Sequence, residues 1–314
     1  MEEHFKGFLR DLEIRNYSSE SIRKYAHCVK VFLEYLTKRK IGDLRKVGRE
    51  ELRDYAETLM NNPDFSLHHV GSNIRAIKCF FRYLKKTDVV LYDFSVILKE
   101  PRMDKQLPKA PLTAKEVESI LEAPYMRNEI GLRDRAILET FCSTGLRVSE
   151  MAHLSLLDLN LEEGLLFVRQ GKGKKDRVVP LGKHACFFIE AYMKVRILLL
   201  KRKPGMITDR LWVNRWGTPL ETVDVGRVVR IHGQKAGITK AVTPHSFRRT
   251  LAVELIRNEC DFLSVKEILG HVKSETTLRY CALSGVDLQD AHKKSHPRYE
   301  VDEVVEKPEI KSIY

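Results

Sequence analysis

Four short strings in the second half of the chain combine polar residues with positions that a packed core does not require: "STGLRVSE", "QGKGKKDR", "TPHSFRRTLAVELI" and "ILGHVKSETTLRYCAL". In the first, Gly145 breaks a helix and Arg147 starts the next one, where free backbone N–H groups and the helix dipole favour an anion. In the second, Gly171 and Gly173 flank Lys172 and permit a tight turn, from which the ammonium could reach a leaving oxygen as general acid. In the third, Pro244 suits the first turn of a helix. His245 and Arg248 then share a face continued by Ala252, while Phe247, Leu251 and Leu255 define another face, expected to be the buried one. In the fourth, His271 follows Leu269 and Gly270, and Tyr280 comes nine residues after it. Together these residues suit metal-free phosphoryl transfer: cations supply the charge stabilisation that a metal ion provides elsewhere, and a side chain is the nucleophile.

Each string alone also fits a plainer role. Arg147 and Glu150 are spaced for a helical ion pair, a Gly/Lys turn can be a solvated loop, and His245 and Arg248 can decorate an exposed helix start. Tyr280 can simply pack a helix. Other chemistries are excluded more firmly. There is no HExxH, no Cys/His cluster and no grouping of Asp or Glu near these strings, which argues against a metal-dependent nuclease. "GKGKKD" lacks the hydroxyl residue and the spacing of a phosphate loop, which argues against ATP hydrolysis. No cofactor is expected.

The elements that must position these residues follow from length and pattern. At 314 residues the chain exceeds the roughly 250 to 300 at which one core stops growing, so two domains are expected. With 43% hydrophobic residues there is material for both cores. A net charge of +12 suits a polyanionic partner such as nucleic acid. Six scattered cysteines without a CxxC pair, and an opening "MEEHFKGFLRDLE" without a signal-peptide pattern, indicate reduced thiols in a cytoplasmic protein. No apolar run approaches the roughly 20 residues needed to span a bilayer, so no membrane partner is expected.

Residues 1–98 read as helices in series. Ser18 or Ser19 caps a helix carrying Ile22, Tyr25, Ala26, Val29, Phe32, Leu33 and Leu36 at three- and four-residue spacing. Further helices fit "REELRDYAETLMN" and "SLHHVGSNIRAIKCFFRYLKK". In the latter, Ile74, Ile77, Phe81 and Leu84 mark an apolar face, and Arg75, Lys78, Arg82 and Lys85 a basic stripe without an acid. That stripe, with Lys174 and Lys175 of the Gly/Lys turn, forms the set of candidate DNA contacts, although a solubilising surface explains it equally well. Residues 99–112 are proline-rich and basic and read as a linker. Residues 113–290 alternate helices with two strands in "LLFVRQGKGKKDRVVPLG", and residues 291–314 read as a polar tail. The expected class is mainly α with a small β-sheet.

The ordered set Arg147, Lys172, "HSFR" at His245 to Arg248, "LGH" ending at His271, and Tyr280 resembles the tyrosine recombinase (phage integrase) family, most closely its short Xer-type members. The resemblance covers the whole chain, with specific motifs from Thr113 to Tyr280. It implies a two-domain C-shaped clamp around DNA, made of a helical core-binding domain and a catalytic domain. It also implies a tyrosine that attacks the scissile phosphate, leaving a 3′-phosphotyrosine link and a free 5′-hydroxyl without metal or ATP. By motif, Tyr280 is the nucleophile, Arg147 and Arg248 hold the non-bridging oxygens, Lys172 is the general acid, and His245 and His271 assist. Glu150, at the family's acidic position, orients the helix or Arg147. The implied partners are double-stranded DNA with an inverted-repeat recombination site, and either a homotetramer on two sites or a heterotetramer with a second recombinase. Val301, Val304, Val305 and Ile310 of the tail are candidate anchors on a neighbouring protomer. One departure stands out: the family's "HxLRH" reads "HSFRR" here, with Arg249 in place of the second histidine. The competing readings are a type IB topoisomerase-like nicking and rejoining enzyme and a DNA-binding protein without activity.

Overall fold

The computed structural model describes residues 1–102, 109–169 and 176–270, and beyond them Ser274, Thr277, Leu278 and Tyr280. The chain divides into two compact units, Met1–Gln106 and Leu107–Tyr314.

Among the described residues the first unit has four α-helices, α1 (Glu2–Ile14), α2 (Ser19–Lys38), α3 (Arg49–Met60) and α4 (Leu67–Lys86), with two short 3-10 turns. Ser18 caps α2, its hydroxyl accepting the Ser21 N–H at 3.2 Å, and Ser66 does the same for His69 at the start of α4. The α2 stripe is buried at Val29, Phe32 and Leu36, with Ile22, Tyr25 and Leu33 half-buried beside them. Phe8 of α1 meets Phe80 edge-to-face at 5.2 Å, and Phe32 meets Phe81 at 6.0 Å, so aromatic rings hold α1, α2 and α4 together. Ile74, Ile77, Phe81 and Leu84 are buried as their spacing requires. On the other side of α4, Arg75, Arg82 and Lys85 are exposed and Lys78 is half-buried. The stripe is not free of acid in space, because Arg75 Nε lies 3.5 Å from Glu100.

The second unit wraps helices around α6 (Glu129–Thr144), which follows α5 (Ala114–Glu122) and precedes the short α7 (Val148–His153). A three-stranded antiparallel sheet in the order β1 (Leu159–Asn160), β2 (Leu165–Val168), β3 (Arg177–Pro180) comes next, with Phe167 opposite Val178 and Val168 opposite Arg177. Then come α8 (Lys183–Leu200), α9 (Thr222–Lys235), α10 (Pro244–Arg257) and α11 (Phe262–Leu269). Ile137, Leu138 and Phe141 of α6 are fully buried, and Phe141 stacks on Phe247 of α10 at 6.4 Å, which fixes the helix bearing His245 and Arg248 against the core. The turn-rich "LWVNRWGTPL" buries Leu211, Trp212 and Val213, and Trp212 stacks on Tyr192 at 5.5 Å. Pro111 and Leu112, at the end of the proline-rich stretch, are fastened to this unit. Lys240 Nζ donates to the Pro111 carbonyl at 2.9 Å, and the Leu112 N–H donates to Thr250 Oγ1 at 2.8 Å. The architecture is therefore mainly α with a small sheet, as the patterning predicts.

Candidate active site

The end of α6, the start of α7, the start of β3 and the end of α11 meet beside the first turns of α10. After Thr144 the backbone turns left-handed at Gly145, with φ 57°. A Cβ there would stand 3.0 Å from a methyl carbon of both Leu251 and Leu269, so glycine allows α10 and α11 to close on this turn. The Gly145 carbonyl accepts a hydrogen bond from Arg248 Nη1 at 2.8 Å.

Arg147 is the N-cap of α7, and Glu150 is the residue that secures it. The Glu150 carboxylate accepts the Arg147 backbone N–H at 2.9 Å and Arg147 Nη1 at 2.6 Å. The helical ion pair is thus real, yet it does not exhaust the side chain: Arg147 Nη2 donates to the Gly270 carbonyl at 2.7 Å. Arg177, the first residue of β3, grips the same carboxylate through both terminal nitrogens, at 3.0 and 2.8 Å, and its Nε donates to the Ile268 carbonyl at 3.2 Å. Arg248 Nη2 donates to the Leu269 carbonyl. Three guanidiniums therefore take the last carbonyls of α11, groups that have no partner within a helix and form the negative end of its dipole. Gly270 ends that helix at φ 61°, and a Cβ on it would lie 2.9 Å from Arg177 Cζ.

Three guanidiniums to one carboxylate leave the cluster net positive. Burial pushes the Glu150 carboxyl upward, but the bonds and charge of Arg177 and then Arg147 outweigh it and hold the group down at about 2, so it is ionised near neutral pH. Burial, followed by the charge of Arg147, lowers Arg248 to about 10, which leaves it cationic near neutrality. His245 is held below the usual imidazole value by partial desolvation and then by Arg248, Arg249 and Arg147, which favours the neutral ring.

Tyr280 is 6% exposed and packs with Ala252, Val253, Val265 and Leu269. It also sits within electrostatic reach of Arg248 and Arg249. Packing and proximity to the arginines are therefore both true of this tyrosine. Arg147, His245, Arg248 and Tyr280 are brought together. Lys172, Lys174, Lys175 and His271 lie outside the described residues, as do Val301, Val304, Val305 and Ile310.

One expectation is corrected. Helix α10 does not divide into an open polar face and a buried face through Leu251 and Leu255. Ser246, Phe247, Arg248, Ala252 and Val253 are buried, while Leu251 and Leu255 are only half-buried. The reason is that α10 is packed on two sides, by α6 and by α11, and Arg248 runs between the Gly145 and Leu269 carbonyls. The sequence motifs do not single out Arg177. Its signal is its place in the strand period: it shares the inward face with the buried Val179, where a core would normally put an apolar residue.

Residues 111–285 match the phage integrase family, and residues 5–90 match the phage integrase N-terminal SAM-like domain. The chain belongs to the phage integrase family. Among curated proteins, this family member is 33% identical over 301 residues to the tyrosine recombinase XerD of Staphylococcus aureus, an alignment covering 95% of this chain and 100% of that one. Among solved structures, the XerA recombinase is 26% identical with a TM-score of 0.52, covering 95% of this chain and 99% of that one. The XerH recombinase bound to its palindromic difH substrate shares the fold at a TM-score of 0.69 and 24% identity, covering 89% and 81% of the two chains. The phage integrase family member described here is thus Xer-like, a tyrosine recombinase in sequence and in fold.

Proposed function

We propose that this chain is a site-specific recombinase that cuts and rejoins double-stranded DNA through a 3′-phosphotyrosine at Tyr280. The observation that carries the reading is the convergence of Arg147 and Arg248 on the end of α11, next to a tyrosine that feels Arg248 and Arg249. Arg147 and Arg248 hold the non-bridging oxygens and stabilise the charge that grows on the phosphorus centre as Tyr280 attacks. Neutral His245, with His271, takes part by hydrogen bonding or proton transfer, because a free phenol with a pKa of about 10 is mostly protonated at neutral pH and must lose its proton to react. Lys172 protonates the departing 5′ oxygen. The reverse sequence, with the 5′-hydroxyl of a second strand attacking the phosphotyrosine, rejoins the DNA and needs no external energy source. Arg75, Lys78, Arg82 and Lys85 of α4, with Lys174 and Lys175, contact the phosphate backbone. The first unit is the core-binding domain and the second the catalytic domain.

The working assembly is four protomers on two inverted-repeat sites, all of one chain or shared with a second recombinase, in the cytoplasm. Among the described residues, no helix is long and apolar enough to cross a membrane and the five cysteines are free. Topoisomerase-like action by a single protomer uses the same chemistry, but the XerD proteins that align with 95% of this chain are tyrosine recombinases, which favours the recombinase reading.

The test uses a nicked suicide duplex carrying the inverted repeat that the protein itself selects from a randomised DNA pool. A covalent protein–DNA adduct forms in EDTA, and Tyr280→Phe abolishes it while leaving duplex binding intact. An adduct that persists in Tyr280→Phe, or that requires magnesium, overturns the reading.

A further inference from the structure

Arg177 has no part in the chemistry assigned so far, yet its side chain makes two bonds to the Glu150 carboxylate where the side chain of Arg147 makes one. The buried Glu150 carboxylate, 5% exposed in its side chain, has two cationic partners among the described residues. The Arg177 side chain is 11% exposed and its guanidinium holds both carboxylate oxygens, whereas the Arg147 side chain is 24% exposed and its guanidinium holds one of them through a single terminal nitrogen, the other oxygen taking only its backbone N–H. Were Arg147 the sole partner, the two would form a neutral pair, and an incoming phosphate would meet little net charge at this point. With the more buried guanidinium matched to the buried carboxylate, the more exposed one keeps its charge for an anion arriving from solvent. The third bond of Arg177, to the Ile268 carbonyl, and the close approach of Gly270 to its Cζ seat this counter-cation at the end of α11.

We propose that Arg177 is a positioning residue that compensates the Glu150 carboxylate, so that Arg147 faces the scissile phosphate as an uncancelled cation. Arg177 itself does not touch the DNA. The inference rests on the recombinase reading above, and deepens it by separating the arginine that binds phosphate from the arginine that makes such binding effective.

The experiment compares cleavage of the selected suicide duplex carrying either a normal scissile phosphodiester or a neutral methylphosphonate at that position. Arg177→Gln slows cleavage of the phosphodiester roughly ten- to a hundredfold, as expected for loss of a charged hydrogen-bonding partner. On the methylphosphonate, which carries no negative charge for Arg147 to meet, the loss shrinks to within about threefold. In a Glu150→Gln background there is no carboxylate to compensate, and adding Arg177→Gln costs less than about threefold. That double variant also carries the comparison if Arg177→Gln alone does not fold, because it removes the buried charge together with its counter-ion. Equal losses on the two substrates, or an undiminished loss in the Glu150→Gln background, overturn the assignment. If the unaltered protein forms no Tyr280-dependent adduct, the recombinase reading fails instead, so the two failures are distinguishable.

Discussion

Arg147 closes a helical ion pair and still reaches a carbonyl on a distant segment, and this double engagement typifies the cluster. A guanidinium has five N–H donors in a fixed fork, so Arg147 and Arg248 can bond protein carbonyls and retain donors for phosphate, which lysine could not do from the same place. In His245 partial desolvation, and after it the charges of Arg248, Arg249 and Arg147, disfavour the imidazolium, so the neutral form that the proposed proton transfer needs persists to lower pH than in a free histidine. The acid limb of kcat/KM for cleavage, which reports ionisations of the unbound protein, therefore lies below pH 6.5. Arg249→Gln removes one of these positive neighbours, makes protonation easier and moves that limb upward toward 6.5; a limb that stays put or moves down contradicts this electrostatic origin. Arg147, Arg248 and Tyr280 were legible in the sequence because their order and spacing are those of a known family. Arg177 was not, because its meaning lies in a pairing with Glu150 across 27 residues of chain, and the strand period of "DRVVPL" shows only that it faces inward.

Helix α11 is the element on which the arrangement turns. Its N-terminus is capped by Asp261, whose carboxylate accepts the N–H groups of Leu263 and Ser264, each at 2.9 Å, and its C-terminus is held by the three arginines. An eight-residue helix has little stability of its own, so these end contacts and the buried Val265 and Leu269 define it. Gly270→Ala tests this directly. The left-handed backbone alone costs roughly 1–2 kcal/mol with a Cβ, and Arg177 must also move. Denaturant unfolding is expected to show at least that loss, and cleavage to fall with it, whereas unchanged stability and cleavage would mean that the end of α11 tolerates displacement. The helices and the hairpin were readable from period and caps, but the faces of α10 were not. A periodicity rule assigns arginine outward, and here the burial of Arg248, which is only 3% exposed, is compensated by carbonyls contributed by the ends of two other helices.

At the scale of the whole molecule, each unit has its own core and the chain carries a net charge of +12. A basic chain that neutralises phosphates releases counterions, so its binding weakens with salt in proportion to the contacts made. Replacing exposed Arg82 and Lys85 together by glutamine is expected to make the plot of log affinity against log salt shallower by about 2, at roughly 0.9 per contact. An unchanged slope would assign the stripe to solubility alone. The expectation of two domains rests on length and on the change of pattern near the proline-rich stretch, whereas the docking of Pro111 and Leu112 was hidden, because it depends on Lys240 and Thr250 far along the chain. Whether Tyr280 becomes linked to the 3′ phosphate of a cut strand is decided by peptide mapping of the adduct trapped on the suicide duplex. The expected result is a nucleotide attached at Tyr280 through a 3′ phosphate and a 5′-hydroxyl on the released strand that polynucleotide kinase can label. Attachment at another residue, or a released strand with a 5′ phosphate, would contradict it.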